Sequence, residues 1–452
     1  MSSRPKLSKI KRPIAKSTSA PMRGVEAAMY LWRQVSKGGI VSESLRALGD
    51  RVSPPDRTLA ASLAYALVRR LSLWEHLREK FLLPRPEKFS KSVQAAVLMG
   101  AAGLTELEKF APAALISSLI EWTKERDRHG ARVVNAVLRR VLEEGPAELQ
   151  RLRNDDRLES LCLLSGVPSW VGERWRRDCG PAVARRFVEQ NAGGCSLSLR
   201  LSPDAPRDLP QRLEEAGQIV AESSLPEGLR LADTALPSAL PGYGEGWFTP
   251  QSESSILVGT EAADFEGTRL LDMCAGRGVK TGQIAQLRPD ITVEGWDLSK
   301  GRVAAGVREM ERLKLSDRVV MRVGSALELE PLAAPDAILV DAPCSGSGTW
   351  RRHPEGKWRL SPENLEELTE LQYHLLCRAF SLVKKGGKVV YSTCSLLAAE
   401  NEEVVKKALR AFPDISERLL SADFGGIACG KGRMLTPENP WTDGFYLAAF
   451  SK

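Results

Sequence analysis

Apolar residues recur at spacings of three and four through the first third of the chain. "RTLAASLAYALVRRLSLWEHL", "SVQAAVLMGAAGL" and "ARVVNAVLRRVLEE" each present an apolar stripe of the kind an amphipathic helix buries. The pattern predicts an all-helical domain over 24–145, closed by Gly145-Pro146, because proline removes a helical hydrogen bond. Two shorter helices are predicted in "VPSWVGERWRRDCGPAVARRFVEQN", punctuated by Pro168 and Gly180-Pro181. At 196–202 the period changes to two: "SLSLRLS" alternates as a strand does. "RDLPQRLEEAGQIVAESSLPEGLRL" then continues as helix and strand, so 146–241 reads as linker helices followed by a small α/β subdomain.

From 242 to 452 the rhythm is strand, loop, helix, repeated. Strands are predicted at Arg269–Met273, Thr292–Trp296, Val319–Val323, Ala337–Val340 and Lys388–Ser392, with helical stretches between them. That alternation implies an α/β fold with a parallel sheet and crossover helices. The helix before the last of these strands carries clear boundary signals: Ser361 as N-cap, Pro362 and Glu363 in the first turn, and Lys384-Lys385-Gly386-Gly387 at the exit. An Asp443-Gly444 turn and "FYLAAF" predict a final antiparallel strand. Ligands of such sheets sit at the carboxyl ends of the strands.

Composition narrows the function classes. A chain of 452 residues exceeds one compact core, and no apolar run is longer than "AAVLMGAAGL", well short of the ~18 residues of a membrane span. The net charge of +7 matches the seven basic residues of 1–23 (Arg4, Lys6, Lys9, Lys11, Arg12, Lys16 and Arg23), a segment with no acid. It reads as a disordered basic tail for a polyanion, or as a solubilising end or transit segment. Eight cysteines without a CxxC pair indicate neither a zinc site nor a disulfide scaffold, and fit a protein of the reducing cytoplasm.

Chemistry concentrates at three predicted strand ends. In "LLDMCAGRGVKTGQIAQL" a strand runs into a glycine-bearing turn and a helix, and the next strand ends in Asp297, placed to bind a ribose diol. A nucleoside-containing cofactor is implied, although the glycines do not match the dinucleotide fingerprint and no Walker lysine follows. Asp341-Ala342-Pro343-Cys344 and Tyr391-Ser392-Thr393-Cys394-Ser395 end two further strands, so both cysteines belong at the edge that carries the glycine turn. A nucleophilic thiolate needs a polar, electropositive setting, for which Arg351, Arg352 and Lys357 are candidates by proximity in sequence to Cys344. Either cysteine alone reads equally as a small buried hydrophobe. Cys162, Cys179, Cys195, Cys377 and Cys429 lack such neighbours and read as packing or surface residues.

"DAPCSGSG", "RRHPEGKW" and "YSTCSLLAAENEEVV" closely resemble, in the family's order, the signature segments of the Fmu/Sun family of RNA cytosine carbon-5 methyltransferases, and "GWFTPQSESS" resembles the segment that precedes its cofactor domain. "DRTLAASLAYALVRR" and "RVVNAVLRRVLEEG" resemble the RNA-binding NusB domain. The resemblance implies a NusB-like helical domain, a small α/β linker and a Rossmann-like class I methyltransferase domain using S-adenosylmethionine on RNA, ribosomal RNA first. It implies Cys394 as nucleophile, Cys344 as the residue that helps expel the enzyme, and Asp341 as partner of the cytosine edge. Cofactor contacts fall on Cys274, Ala275, Gly276, Arg277, Gly278, Val279, Lys280, Asp297 and Asp341, with Arg302 in the following helix. No metal and no membrane are expected, and a monomer is.

The family usually reads C-A-A-P-G-G-K where this chain has Cys274-Ala275-Gly276-Arg277-Gly278-Val279-Lys280, Gly-Asp where it has Gly324-Ser325, and Gln-Asp where it has Gln251-Ser252. These departures keep open an alternative reading, a non-catalytic RNA-binding or ribosome-assembly protein with a degenerate cofactor site. A DNA cytosine methyltransferase is a third reading, which leaves the second cysteine unexplained.

Overall fold

The structure, a computed structural model, describes residues 22–83, 86–108, 110–232, 236–421 and 425–452. Of the basic tail only Arg23 falls among them; Arg4, Lys6, Lys9, Lys11, Arg12 and Lys16 lie outside the described residues. The chain forms two compact units, one of residues up to 67 with 82–139, the other of 68–81 with 140–452.

The first unit is helical: α1 (Gly24–Val35), α2 (Val41–Ala47), most of α3 (Pro54–Arg69), α5 (Lys91–Glu106), α6 (Pro112–Lys124) and the start of α7 (Gly130–Arg153). Its core is the set of apolar stripes seen in the sequence, including Leu31, Leu63, Val97, Met99, Leu119 and Leu138.

In the second unit α4 (Leu71–Phe81) follows a break at Arg70, so the long periodic stretch from Arg57 is two helices rather than one. Helix α7 does not stop at Gly145-Pro146 but runs through to Arg153, which corrects the expected helix end. The proline forfeits one backbone hydrogen bond. The turn beyond it is held by buried Leu149 and Leu152 and by buried Glu148, whose carboxylate accepts bonds from His76 (2.8 Å), Lys80 (2.5 Å) and Arg151 (2.7 Å).

Helices α8 (Leu158–Ser165), α9 (Ser169–Cys179) and α10 (Pro181–Ala192) pack around Trp175 and Phe187 together with Trp350, Leu396 and Leu397. A four-stranded antiparallel sheet follows, in the order β2 (Val220–Glu222), β3 (Gly228–Leu231), β1 (Leu197–Leu201), β4 (Phe248–Pro250), with α11 (Leu209–Glu215) against it. Strand β4 draws this sheet past residue 241.

Among the described residues the large sheet has nine strands. Five are mutually parallel: β5 (Arg269–Asp272), β6 (Thr292–Asp297), β7 (Val319–Val323), β8 (Ala337–Asp341) and β9 (Lys388–Thr393). Beside β9 lies antiparallel β13 (Phe445–Ser451), which also pairs β10 (Ser416–Arg418) and β12 (Gly432–Leu435), the latter pairing β11 (Ile427–Cys429). The order β11-β12-β13-β9-β8-β5-β6-β7 places a reversal of winding between β5 and β8.

Both faces of this sheet are covered, which is why its central strands read as near-continuous apolar runs. Ile338, Val340, Val389 and Tyr391 face α15 (Pro362–Leu382) and α16 (Glu402–Ala411); Leu270, Val293, Leu339 and Val390 face α12 (Glu253–Ala263), α13 (Val279–Leu287) and α14 (Lys300–Arg312).

Candidate active site

The carboxyl ends of β5, β8 and β9 are neighbours across the winding reversal, where open α/β sheets place their ligands. Cys344 follows β8 by three residues and Cys394 follows β9 by one, and the topology brings their sulfurs to 3.3 Å. Both are partly exposed and all eight cysteines are free. The Thr349 hydroxyl approaches the Cys394 sulfur at 3.9 Å, and the Gly348 N–H donates to the Cys394 carbonyl at 2.9 Å. Gly348 lies so close to the Gly444 backbone that a Cβ there would fall 2.1 Å from its carbonyl oxygen, so only glycine fits this loop.

At the end of β8 the Asp341 carboxylate accepts bonds from the Ser392 hydroxyl (2.8 Å) and the Lys280 ammonium (2.7 Å). Burial pushes Lys280 down, but the charge and hydrogen bond of Asp341 outweigh it, and the ammonium is held above its ordinary value. Lys280 also stands 5.1 Å over the Phe445 ring, and the Cys394 sulfur contributes to its field. The hydrogen bond to Cys394, followed by burial, pushes the Cys344 thiol well above its ordinary value. Burial pushes Cys274 up likewise, Cys162 and Cys429 to about 12 and Cys179 to about 11, which leaves them as inert thiols.

The turn after β5 is built to admit a ligand along its backbone. Gly276 and Gly278 have φ of 58° and 80°, and a Cβ at Gly276 would meet nothing within 4 Å. Gly278, the N-cap of α13, favours glycine because of its left-handed φ. The buried Asp297 carboxylate accepts the Gly276 N–H (3.1 Å) and the Ser299 N–H (2.7 Å), with Arg302 at 3.8 Å. Leu298, 76% exposed, and exposed Val323 leave apolar surface at the ends of β6 and β7. A fixed carboxylate, an open glycine backbone and two apolar side chains fit a nucleoside: the first matches a diol, the last two a base. Asp272, beneath the turn, is fully buried, accepts the Thr281 hydroxyl at 2.7 Å, and has its carboxyl pushed up to about 7 by burial.

Comparison with known proteins agrees in both halves. The 16S rRNA methyltransferase RsmB/F family matches residues 262–451, and the NusB family matches 26–143. Ribosomal RNA small subunit methyltransferase B of Xanthomonas campestris is 32% identical over 440 residues, covering 94% of this chain and 96% of that one. The chain belongs to the RsmB/F family of 16S rRNA methyltransferases. The namesake enzyme of Thermus thermophilus is 33% identical over 428 residues, with coverage of 94% and 96%. A solved methyltransferase homologue from Pyrococcus horikoshii superposes with a TM-score of 0.57 at 26% identity, over 66% of this chain and 99% of that one.

Within this RsmB/F chain the cationic side chain beside the cysteines is not one expected from the sequence around Cys344. Arg351 is buried on the carbonyls of Asn439 (2.9 Å) and Thr442, and the Nε–H of Arg352 is shared between the two carboxylate oxygens of Asp443 at 2.9 Å. Lys357 is 1% exposed and donates to the Arg69 carbonyl at 3.1 Å, while Trp358 donates to that of Val68 at 2.6 Å. These residues hold loops in place. The ammonium at the site is that of Lys280, which the sequence assigns to cofactor contact. In the altered turn Arg277, at the position of the missing proline, is exposed. Gln251 is a buried link, bonded to Arg200 (2.9 Å) and Gln283 (2.6 Å), and Ser252 stands at the N-cap position of α12 without a side-chain capping bond. Sequence reasoning missed Ser392, Thr349 and Glu400; the last lies five residues after Ser395 and 55 after Ser345 in sequence.

Proposed function

We propose that this protein methylates carbon 5 of a cytosine in small-subunit ribosomal RNA, with Cys394 as nucleophile. The observation that carries the reading is the pair of sulfurs at 3.3 Å beside the Lys280–Asp341 pair, at the strand ends where the glycine turn would hold a nucleoside. S-adenosylmethionine, when bound, supplies an electrophilic methyl group; Gly276, Gly278 and Asp297 are the residues that would hold it, with Arg302 close to Asp297.

Carbon 5 of cytosine is a poor nucleophile. Addition of the Cys394 thiolate to carbon 6 makes carbon 5 enamine-like and able to take a methyl group. Asp341, fixed by Ser392 and Lys280, is the group that meets the base edge and favours protonation of the ring nitrogen as the adduct forms. After methyl transfer a water molecule takes the carbon-5 proton, the electrons of that C–H bond form the 5,6 double bond as the Cys394–carbon-6 bond breaks, and a hydrogen bond from the Cys344 thiol stabilises the departing thiolate. A base inside a duplex cannot reach such a site, so the target is an unstacked or looped cytosine. The enzyme acts as a monomer in the cytoplasm on this reading.

Cys344→Ala tests it. The variant is expected to form the adduct and release it slowly, giving a protein–RNA species stable on a denaturing gel. Normal turnover with no such species contradicts the division of roles.

A further inference from the structure

Each site cysteine is followed by a serine, and the two serines meet on one carboxylate. The Ser345 and Ser395 hydroxyls both donate to the same oxygen of Glu400, each at 2.5 Å. Its other oxygen accepts the Ser345 backbone N–H (2.8 Å) and the Gln372 side-chain amide of α15 (3.0 Å). Glu400 is fully buried, and all four of these bonds come from uncharged donors. Gln372 also donates to the Pro343 carbonyl at 2.9 Å, and the Tyr391 hydroxyl donates to the Glu400 backbone carbonyl at 2.6 Å. Next to it, Asn401 accepts the Thr393 hydroxyl (2.6 Å) and donates to the Ser395 carbonyl (2.9 Å).

A buried carboxylate costs far more than the fold needs for joining two loops, which a neutral amide could do. Here it sits one residue from each sulfur. We propose that Glu400 is a positioning residue for the cysteine pair: it sets the distance between the two loops and keeps Cys344 as the thiol while Cys394 serves as nucleophile. The inference rests on the reaction proposed above.

The field around Cys344 supports the assignment. The titratable groups facing it are Tyr391 from β9, Cys394 just after that strand and Glu400 beneath, while the Gly346 N–H opposes them. The Lys280 ammonium of α13 is bonded to Asp341. The Glu400 charge is among the causes that raise Cys344, after the Cys394 bond and burial. A negative charge beside a thiol disfavours its ionisation. A Cys344 thiol can donate to the Cys394 sulfur, whereas two thiolates at 3.3 Å would repel.

The decisive readout is the pH dependence of Cys344 alkylation by iodoacetamide, followed at that peptide by mass spectrometry in a Cys394→Ala background. Adding Glu400→Gln is expected to move the midpoint down by about one pH unit, because a like charge is removed. Simple loosening of the loops would raise the limiting rate and leave the midpoint in place, and an unmoved midpoint overturns the electrostatic half of the proposal. Ser345→Ala/Ser395→Ala in the same background keeps the charge and removes the clamp, so its midpoint should stay. In the presence of Cys394 that double variant should lose about 10–100-fold in kcat with little change in KM for RNA; unchanged kcat overturns the positioning half. Should Glu400→Gln fail to fold, Glu400→Asp keeps the charge and is expected to hold the midpoint within a few tenths of a unit; a fall of a full unit contradicts the proposal. Alkylation needs neither RNA nor methyl donor. A wild-type protein without methyl transfer would therefore overturn the reaction and leave the midpoint comparison to stand or fall alone.

Discussion

At the scale of single residues, Lys280 separates what the sequence suggests from what the structure adds. Its position in the glycine turn points to the cofactor, yet its ammonium is bonded to Asp341 at 2.7 Å and lies within the electrostatic reach of the Cys394 sulfur. Lys280→Met is therefore expected to lower kcat by about 10²-fold, a typical cost for a positioned proton-transfer or charge-stabilising group. Titration with S-adenosylmethionine should find affinity within about threefold of wild type. The reverse outcome, lost affinity at normal kcat, would return Lys280 to the cofactor. Asp272 makes a pH prediction. Its folded carboxyl is pushed up to about 7 against 3.8, so between those values the folded chain holds a proton that the unfolded chain has lost. Stability due to this group is thus fully present below about pH 4 and is lost as pH rises to about 7, by at most about 1.4 kcal/mol per unit. Asp272→Asn should flatten that fall in thermal melts taken from pH 4.5 to 7.5. A parallel pair of curves would contradict the assignment.

Among the elements, those with strong periodicity were readable and those decided by tertiary bonds were not. The strands at 269, 292, 319, 337 and 388 start at or one residue before β-branched and apolar runs, and in the central strands at 269, 337 and 388 burial on both faces favours that composition. The N-cap of α15 was equally legible, since Ser361 accepts the Asn364 N–H as local chemistry dictates. Helix α7 was misread at Pro146 because the residues that carry it onward find their partners on α4, 68 or more positions away in sequence. Glu148→Ala removes the shared acceptor of His76, Lys80 and Arg151, and should cost about 1–3 kcal/mol and fray the turn after Pro146. Hydrogen exchange of amides 147–153 would show it; unchanged protection would mean that Leu149 and Leu152 suffice.

For the whole molecule, function is a consequence of strand order. Residues 272–280, 341–344 and 391–395 are distant in sequence and adjacent only because β5, β8 and β9 are neighbours in the sheet. Sequence reasoning could assign them to one edge from the α/β rhythm, but not the sulfur–sulfur distance, the Asp341–Lys280 bond or the carboxylate under both cysteine loops. Those depend on registers such as Asp341 opposite Ser392. The arginines around 351 misled for the complementary reason: nearness in sequence to Cys344 placed them in a loop whose partners, Asn439 and Asp443, come from the far end of the chain.

The central claim is a cysteine-dependent methyl transfer to cytosine. The most direct measurement is transfer of label from methyl-labelled S-adenosylmethionine to unmodified small-subunit ribosomal RNA, with Cys394→Ala alongside. Label on cytosine carbon 5 with wild type, and none with the variant, is the predicted result. Equal label from both proteins, or none from wild type while it binds that RNA tightly, would contradict the account.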